Sequence, residues 1–446
     1  MPQRSFAGRI VSCLAHPGTM VVAAFVIRYG LFCYIRTHGP QPATETFPIG
    51  AETGRLARAL AAGEGFSSPL SINTGPSAWM TPLYPLLLAG VFKVFGIFSW
   101  LSFLVIAAIN CLLSSLTAWS VYAVARKAFG PSVAITAGWL WVFMLTSIFY
   151  SVVWVWDTAL SALIFSLILL ATTYIWGSDR AAGWAGYGAL WGAGAMANAS
   201  IVSTLPFLMG WAAMQLRLKA LPWVRPVVVA LFMFTLAISP WFIRNYVVFH
   251  KVIFFRDNLG LELWLGNNPN NPGIWSWWLH PNDDEGERQV FSQMGELPYM
   301  ELRQREAVAW IKTHPREFLE NTWHRFVDNW TGSDDPVSDR LQARLYAKVL
   351  GFLGVLFPLF TLAGALLAYR QKNLYAYPLA ASLLFFPLIY YVTHTSLRYR
   401  HPIEPVMTVL TALTLVRICS RLPMRHPGKT SREAGTQAAR EMSPVG

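Results

Sequence analysis

The sequence predicts an all-α polytopic membrane protein with about ten transmembrane helices, juxtamembrane helices and two large outer-side loops, and three observations carry that prediction. The 446 residues are 54% hydrophobic and only 13% charged, whereas a soluble domain carries about a quarter charged residues. The apolar runs are too long for barrel strands, so backbone hydrogen bonding in lipid demands helices. Most carboxylates and the Asn-Pro turns fall in two stretches only, 39–79 and 244–344, together with four of the nine histidines.

Residues 1–18 read as a cytoplasmic N-terminus, too polar for a signal peptide, and 19–36 as an uncleaved anchor helix. Arg28 lies inside that helix, which is expensive in lipid and predicts that it faces protein or water. The first outer loop spans 37–81. The stretch 82–97 is short and carries Pro82, Pro85 and Lys93; of a full crossing and an interfacial helix, the interfacial helix is preferred. With that choice Arg126-Lys127, Asp179-Arg180 and Arg217-Lys219 all fall inside, as the positive-inside rule requires. Further crossings are expected at 101–125, 133–153, 158–176, 183–197, 201–216 and 223–243. The run 183–216 is read as two short helices broken near Asn198-Ala199-Ser200. Thus 19–243 forms the first and larger transmembrane module. The large outer loop 244–345 should fold as a small helical cap, with helices beginning near Glu301 and Glu317. Crossings at 346–369, 375–394 and 402–416 make up the C-terminal membrane part (346–416), and 417–446 reads as a disordered cytoplasmic tail.

The net charge of +12 is spread over loop ends and the tail. It reads as orientation signal and contact with anionic headgroups of an inner (plasma) membrane, with both termini cytoplasmic. No basic soluble face suited to nucleic acid is visible. Cys13, Cys33, Cys111 and Cys419 lie in or beside apolar runs without CxxC or metal spacing, so neither a disulfide frame nor a metal site is expected.

Several residues in the loops have chemistry to offer. Glu52 opens an amphipathic helix that Gly63-Glu64-Gly65 breaks; it is either a solvated first-turn residue, which the helix dipole favours, or a site acid. Asp157 stands where an N-cap for 158 onward is needed, a position compatible with a cavity role. Arg244 is a helix-end cation or a phosphate ligand. Glu262 and Asn267 could hold sugar hydroxyls, with Trp264 as a stacking face or a packing residue. His280 to Glu285 read as a charged rim. The stretch Thr393–Pro405 places two arginines and two histidines on the outer side, a topological cost that points to a reason. Arg398 and Arg400, with His401 adjacent, are therefore read as ligands of an anionic group such as a phosphate, the alternative being a charged interfacial loop.

The order of anchor helix, acid-bearing loop, LARALAAGEGFSSP, PLYPLLLAGVFKVFG and a Trp-Asp at a later helix start resembles the membrane glycosyltransferases of the C superfold. The most similar branch is glycosyltransferase family 39, which holds protein O-mannosyltransferases and aminoarabinose transferases. The resemblance covers about 21–416. It implies transfer of a sugar from a polyprenyl-phosphate donor to an acceptor hydroxyl on the outer, periplasmic face, with inversion. It also implies an acid at Asp157 lining the donor cavity. The family's first loop usually carries an acidic pair, whereas this chain has Ala51-Glu52, which leaves the base open between Glu52 and an acid from elsewhere. The chemistry needs a carboxylate base and cations for the leaving phosphate, and no cofactor. A carrier or flippase for a lipid-linked sugar is the alternative, for which the break at Asn198 is the best argument. A non-catalytic assembly subunit is the third reading.

Overall fold

The computed structural model describes residues 12–38, 51–154, 156–270, 276–332 and 344–421, with the backbone alone at 277 and 344–353. The expected tail beyond Arg421 and the loop acid Glu45 lie outside the described residues. Among those described, the chain is helical, with one isolated antiparallel bridge between Ser67 and Pro76. Six helices are long and apolar enough to cross a membrane: α1 (Pro17–His38), α4 (Trp100–Phe129), α7 (Thr158–Ile175), the run Ala199–Leu218 ending in α9 (Leu205–Leu218), α10 (Val224–Phe249), and the run Leu397–Arg421 ending in α19 (Glu404–Arg421). A seventh counts if α5 (Pro131–Phe143) and α6 (Leu145–Val152) are one span bent by 47°.

The other apolar helices are shorter in their described parts. Helix α8 (Ala181–Ala197) has 17 residues, about 25 Å at 1.5 Å per residue, against a hydrocarbon core of about 30 Å. The stretch 376–392 is divided into α16 (Ala376–Phe385) and α17 (Leu388–Val392), with Pro387 at the junction. Helix α15 (Arg344–Arg370) contributes a described apolar part of Gly354–Arg370. Helix α3 (Leu83–Phe95) has 13 residues, about 20 Å, the length of a helix that does not span. Helix α10 runs on to Phe249, past the end expected at 243, and closes on His250 in the left-handed region at φ 52°.

The break between α5 and α6 explains Arg28. Met144 leaves the helix with extended backbone (φ −66°, ψ 121°), which frees carbonyls that lipid cannot satisfy. The Arg28 guanidinium, fully buried, donates to Trp141 O (2.9 Å), Val142 O (3.1 Å), Ser147 Oγ (2.7 Å) and Ser114 Oγ (3.0 Å). It therefore faces protein. Arg28→Met should lower the thermal midpoint in detergent, since each orphaned buried carbonyl costs about 1–3 kcal/mol; an unchanged midpoint would show that the bend holds without it. Elsewhere the helices close through small residues: a Cβ on Gly188 of α8 would collide with the Ala230 carbonyl of α10, and one on Gly364 of α15 with the Leu410 carbonyl of α19.

The two polar excursions pack on one another. The first contributes α2 (Ala51–Ala62) and the turns to 81. The second contributes α11 (Leu259–Gly266), α12 (Glu285–Met294), α13 (Glu296–Thr313) and α14 (Pro315–Thr331). Their own core is Leu70, Trp79, Leu261, Leu265, Phe291 and Tyr299. At the far end of α7, Lys127 lies 4.6 Å from the Tyr174 ring and Lys219 3.9 Å from the Trp176 ring. Those basic helix ends thus gather at the opposite end of α7 from Asp157.

Candidate functional site

Where the polar excursions meet the helix ends there is a cavity of about 260 Å³. Its lining includes Glu52, Asp157, Glu262 and Arg398, four of the nine residues singled out from sequence, and also Arg256, His280, Asn198 and Tyr390.

Glu52 stands in the first turn of α2 and is buried. Its Oε1 accepts from Asn282 Nδ2 and lies 3.8 Å from His280 Nε2. Its Oε2 has no hydrogen-bond partner among the described residues. The partners on Oε1 are themselves fixed. Asn282 Oδ1 accepts from Arg55 Nη1 (2.7 Å), and Arg288 holds the Pro281 and Asn282 carbonyls (2.9 and 3.0 Å). The backbone N–H of Asn282 donates to His280 Nδ1 (3.1 Å), so a neutral His280 carries its proton on Nε2, the nitrogen nearest Glu52. Hence one carboxylate oxygen is tied to the cap and the other is left unused.

Asp157 takes the N-cap position of α7, but its side chain makes no backbone cap bond. Instead Oδ2 accepts from Ser161 Oγ (3.2 Å). Burial pushes its carboxyl up to about 6, against the opposing pull of the Ser161 hydrogen bond and the charges of Arg256 and Arg398. Glu262, on α11, is used up by partners. Its Oε1 accepts from Arg256 Nη2 and Asn258 Nδ2 (both 2.8 Å), and Oε2 pairs with His394 Nε2. Burial alone would raise this carboxyl, but the bond and charge of His394 and the charge of Arg256 hold it well below the usual carboxylate range. Its chemistry is therefore that of a fixed anion aiming Arg256.

Arg398 lies on the short helix α18 (Leu397–Arg400), inside an aromatic box. Its guanidinium sits 5.1 Å from the Trp156 ring, 5.9 Å from Trp154 and 4.8 Å from Tyr399, and Nη2 donates to Tyr399 OH (2.8 Å). Tyr399 in turn stacks flat on Tyr390 (4.7 Å). Such a box holds a cation in place through its ring faces. Asn198 leaves α8 in extended conformation, caps Ser200 N with its Oδ1 (3.0 Å) and lines the same cavity.

The other five sequence candidates stand outside the lining. Arg400 is buried behind it, donating to Asn329 O (3.1 Å), Trp330 O (2.6 Å) and Glu404 Oε1 (3.3 Å). His401 bonds Glu404 Oε2 (2.7 Å) and stacks beside Trp141. Arg244 clamps the first loop through Ser77 O (2.7 Å) and Phe66 O (2.8 Å). Trp264 lies under Arg303 (4.2 Å) in the cap core. Asn267 is fully buried and joins α11 to α17 by donating to Leu263 O (2.8 Å) and Val392 O (2.9 Å). Conversely, Arg256, Asn258, His280 and Asn282 were not assigned from sequence. The signals for them were the Arg and Asn preceding Glu262 by six and four residues, and a His-Pro-Asn turn.

A second acid pair locks the first loop beneath the cap. Glu296 Oε1 accepts from Ala78 N, and Asp257 N donates to Ala78 O (3.0 Å). Burial raises Asp257 to about 6, and burial together with the neighbouring Asp257 charge raises Glu296 well above its ordinary value. A raised acid ionises in the unfolded chain first, so stability is lost as pH climbs above about 4 and the loss is complete only above the folded values. Asp257→Asn should accordingly raise the thermal midpoint by a few degrees at pH 8 and leave it nearly unchanged at pH 4. Equal shifts at both would show that the pair does not titrate in this range.

No family model matches the chain, and no curated protein matches it. Among solved structures it is similar to the oligosaccharyltransferase AglB from Archaeoglobus fulgidus in complex with an inhibitory peptide and a dolichol-phosphate. The identity is 15% and the TM-score 0.51, over 94% of this chain and 54% of that one. A second structure of the Archaeoglobus fulgidus oligosaccharyltransferase, in complex with Zn and sulfate, gives 15%, 0.50, 89% and 49%. ArnT from Cupriavidus metallidurans, bound to undecaprenyl phosphate, gives 12%, 0.38, 95% and 80%. This chain spans about half the length of the two oligosaccharyltransferase chains. Zinc is present in one of them. Among the described residues here, no group of three or more His, Cys, Asp or Glu side chains stands ready to hold a metal ion. At these identities the likeness shows the fold alone, which this chain shares over most of its length with the membrane part of the archaeal oligosaccharyltransferase.

Proposed function

We propose that this chain is an integral-membrane glycosyltransferase that moves a sugar from a polyprenyl-phosphate donor to an acceptor hydroxyl on the outer, periplasmic face, with inversion at the anomeric carbon. The observation that carries the reading is the pairing, in one cavity, of an unused buried carboxylate oxygen on Glu52 with the guanidinium groups of Arg398 and Arg256. The acceptor oxygen forms the new bond to the anomeric carbon as the bond from that carbon to the phosphate oxygen breaks. The acceptor's proton passes to Glu52 Oε2, and the electron pair leaves with polyprenyl phosphate. Arg398 and Arg256 neutralise the charge developing there. Glu262 and the aromatic box keep both cations aimed before the donor arrives, so little reorganisation is needed during reaction. Asp157, close enough to both arginines to feel their charge, fits a role in orienting the donor sugar. A lipid phosphate bound by AglB, which has the same fold, supports a lipid-linked donor. The family 39 and hexosyl assignments rest on the sequence resemblance.

Asn198 breaks a helix beside the cavity, and that observation favours the carrier reading. Incubation of the purified protein with polyprenyl-phosphate glucose or mannose and a membrane extract separates the two. Free polyprenyl phosphate released by the unaltered protein and not by Glu52→Gln supports the transferase. Sugar crossing vesicles with the phosphate bond intact supports the carrier.

A further inference from the structure

Helix α14 (Pro315–Thr331) is amphipathic in the opposite sense to a water-soluble helix. The residues it buries are Arg325, Asp328 and Asn329, while Leu319 and Trp323 are 65% and 63% exposed and Phe326 and Val327 are also exposed. Leu319, Trp323, Phe326 and Val327 fall at i, i+4, i+7 and i+8, a single stripe, roughly opposite the buried polar face. The inward side is satisfied by protein. Arg325 donates to Asn267 Oδ1 (3.2 Å), Val392 O (3.1 Å) and Gly266 O, and Thr395 Oγ1 donates to Asn329 Oδ1 (3.1 Å). A third side carries Glu317, Glu320 and His324, all exposed, with Arg316 and Glu320 paired at 3.0 Å.

In water this helix would expose its oily stripe and bury its charges, the reverse of what burial energetics favour. We infer that α14 lies in the bilayer interface, with its Leu319–Trp323–Phe326 stripe seated among the acyl chains of the leaflet on the cap side. The surface it adjoins points to lipid as the occupant. Helix α14 packs on α15 and α17, helices that themselves expose the apolar residues Val355, Leu359, Leu388, Ile389 and Val392. The stripe thus continues the apolar surface of the membrane helices. The charged third side belongs at headgroup level, and Trp is the residue favoured at that depth. Residues 315–331 are accordingly a monotopic element within the outer stretch 244–345.

The test is a spin label at Leu319→Cys, Trp323→Cys or Phe326→Cys, with His324→Cys as the control. The exposed Cys13, Cys33 and Cys419 are replaced by Ser and the buried Cys111 is kept. The protein is reconstituted in phosphatidylethanolamine–phosphatidylglycerol vesicles. Labels on the stripe are expected to collide at least about threefold more with oxygen, relative to an aqueous nickel chelate, than the label at 324 does. Free collision of the stripe labels with the chelate would overturn the inference. Shielding from both reagents would overturn it too, by showing that protein, such as a second copy, covers the stripe. The label positions are surface sites, and retention of the thermal midpoint shows that each variant is folded.

Discussion

Glu52→Gln is expected to lower turnover by at least about two orders of magnitude, the range of loss of a positioned general base, while the KM for the lipid donor stays within a few-fold. Gln keeps the side-chain shape and can still meet Asn282, so the cap contact survives. What it loses is the lone pair on the oxygen that no group among the described residues occupies. The alternative bases are weaker candidates on this geometry. Glu262 has both oxygens engaged by Arg256, Asn258 and His394. Asp157 is held by Ser161 and sits under the influence of two arginines. Release of polyprenyl phosphate under single-turnover conditions is the direct readout. Full activity in Glu52→Gln would remove this residue from the mechanism and return the choice to Asp157.

Arg398→Ala is expected to weaken donor binding by about 10- to 100-fold, the loss for a hydrogen bond to a charged group, and to lower turnover as well because the same cation meets the leaving phosphate. Arg400→Ala supplies the contrast. Arg400 holds the carbonyls at the end of α14 and pairs with Glu404, a fully buried acid, so its loss should appear in the thermal midpoint before it appears in donor affinity. Binding of polyprenyl phosphate to the purified variants separates the two. Unchanged affinity in Arg398→Ala would refute its role.

The contrast between Arg398 and Arg400 also shows what the sequence could and could not reveal. Thr393–Pro405 stood out because two guanidinium groups defied the expected charge bias, and one of them does line the cavity. Residues two apart on a helical turn project about 200° from one another, so the pair could not both face one pocket; which one did depended on where α14 and Trp156 lay. Glu52, Asp157 and Glu262 were legible for a similar reason, because an acid beside a helix end in an oily chain is rare. The break at Asn198 was legible too, from length and the turn residues. His280 and Asn282 were not, because their importance comes from touching Glu52 across 230 residues of sequence. For α14, periodicity gives the position of a stripe and not which solvent that stripe meets.

With one oxygen of Glu52 already committed to Asn282, the remaining oxygen defines a single corridor of approach. An incoming hydroxyl has to arrive from within the cavity along that line, with its carbon skeleton trailing away from the gripping turn. Discrimination among acceptors would then depend on trajectory, and a molecule whose hydroxyl sits in a cleft of its own bulk would be turned away even if every local contact suited it.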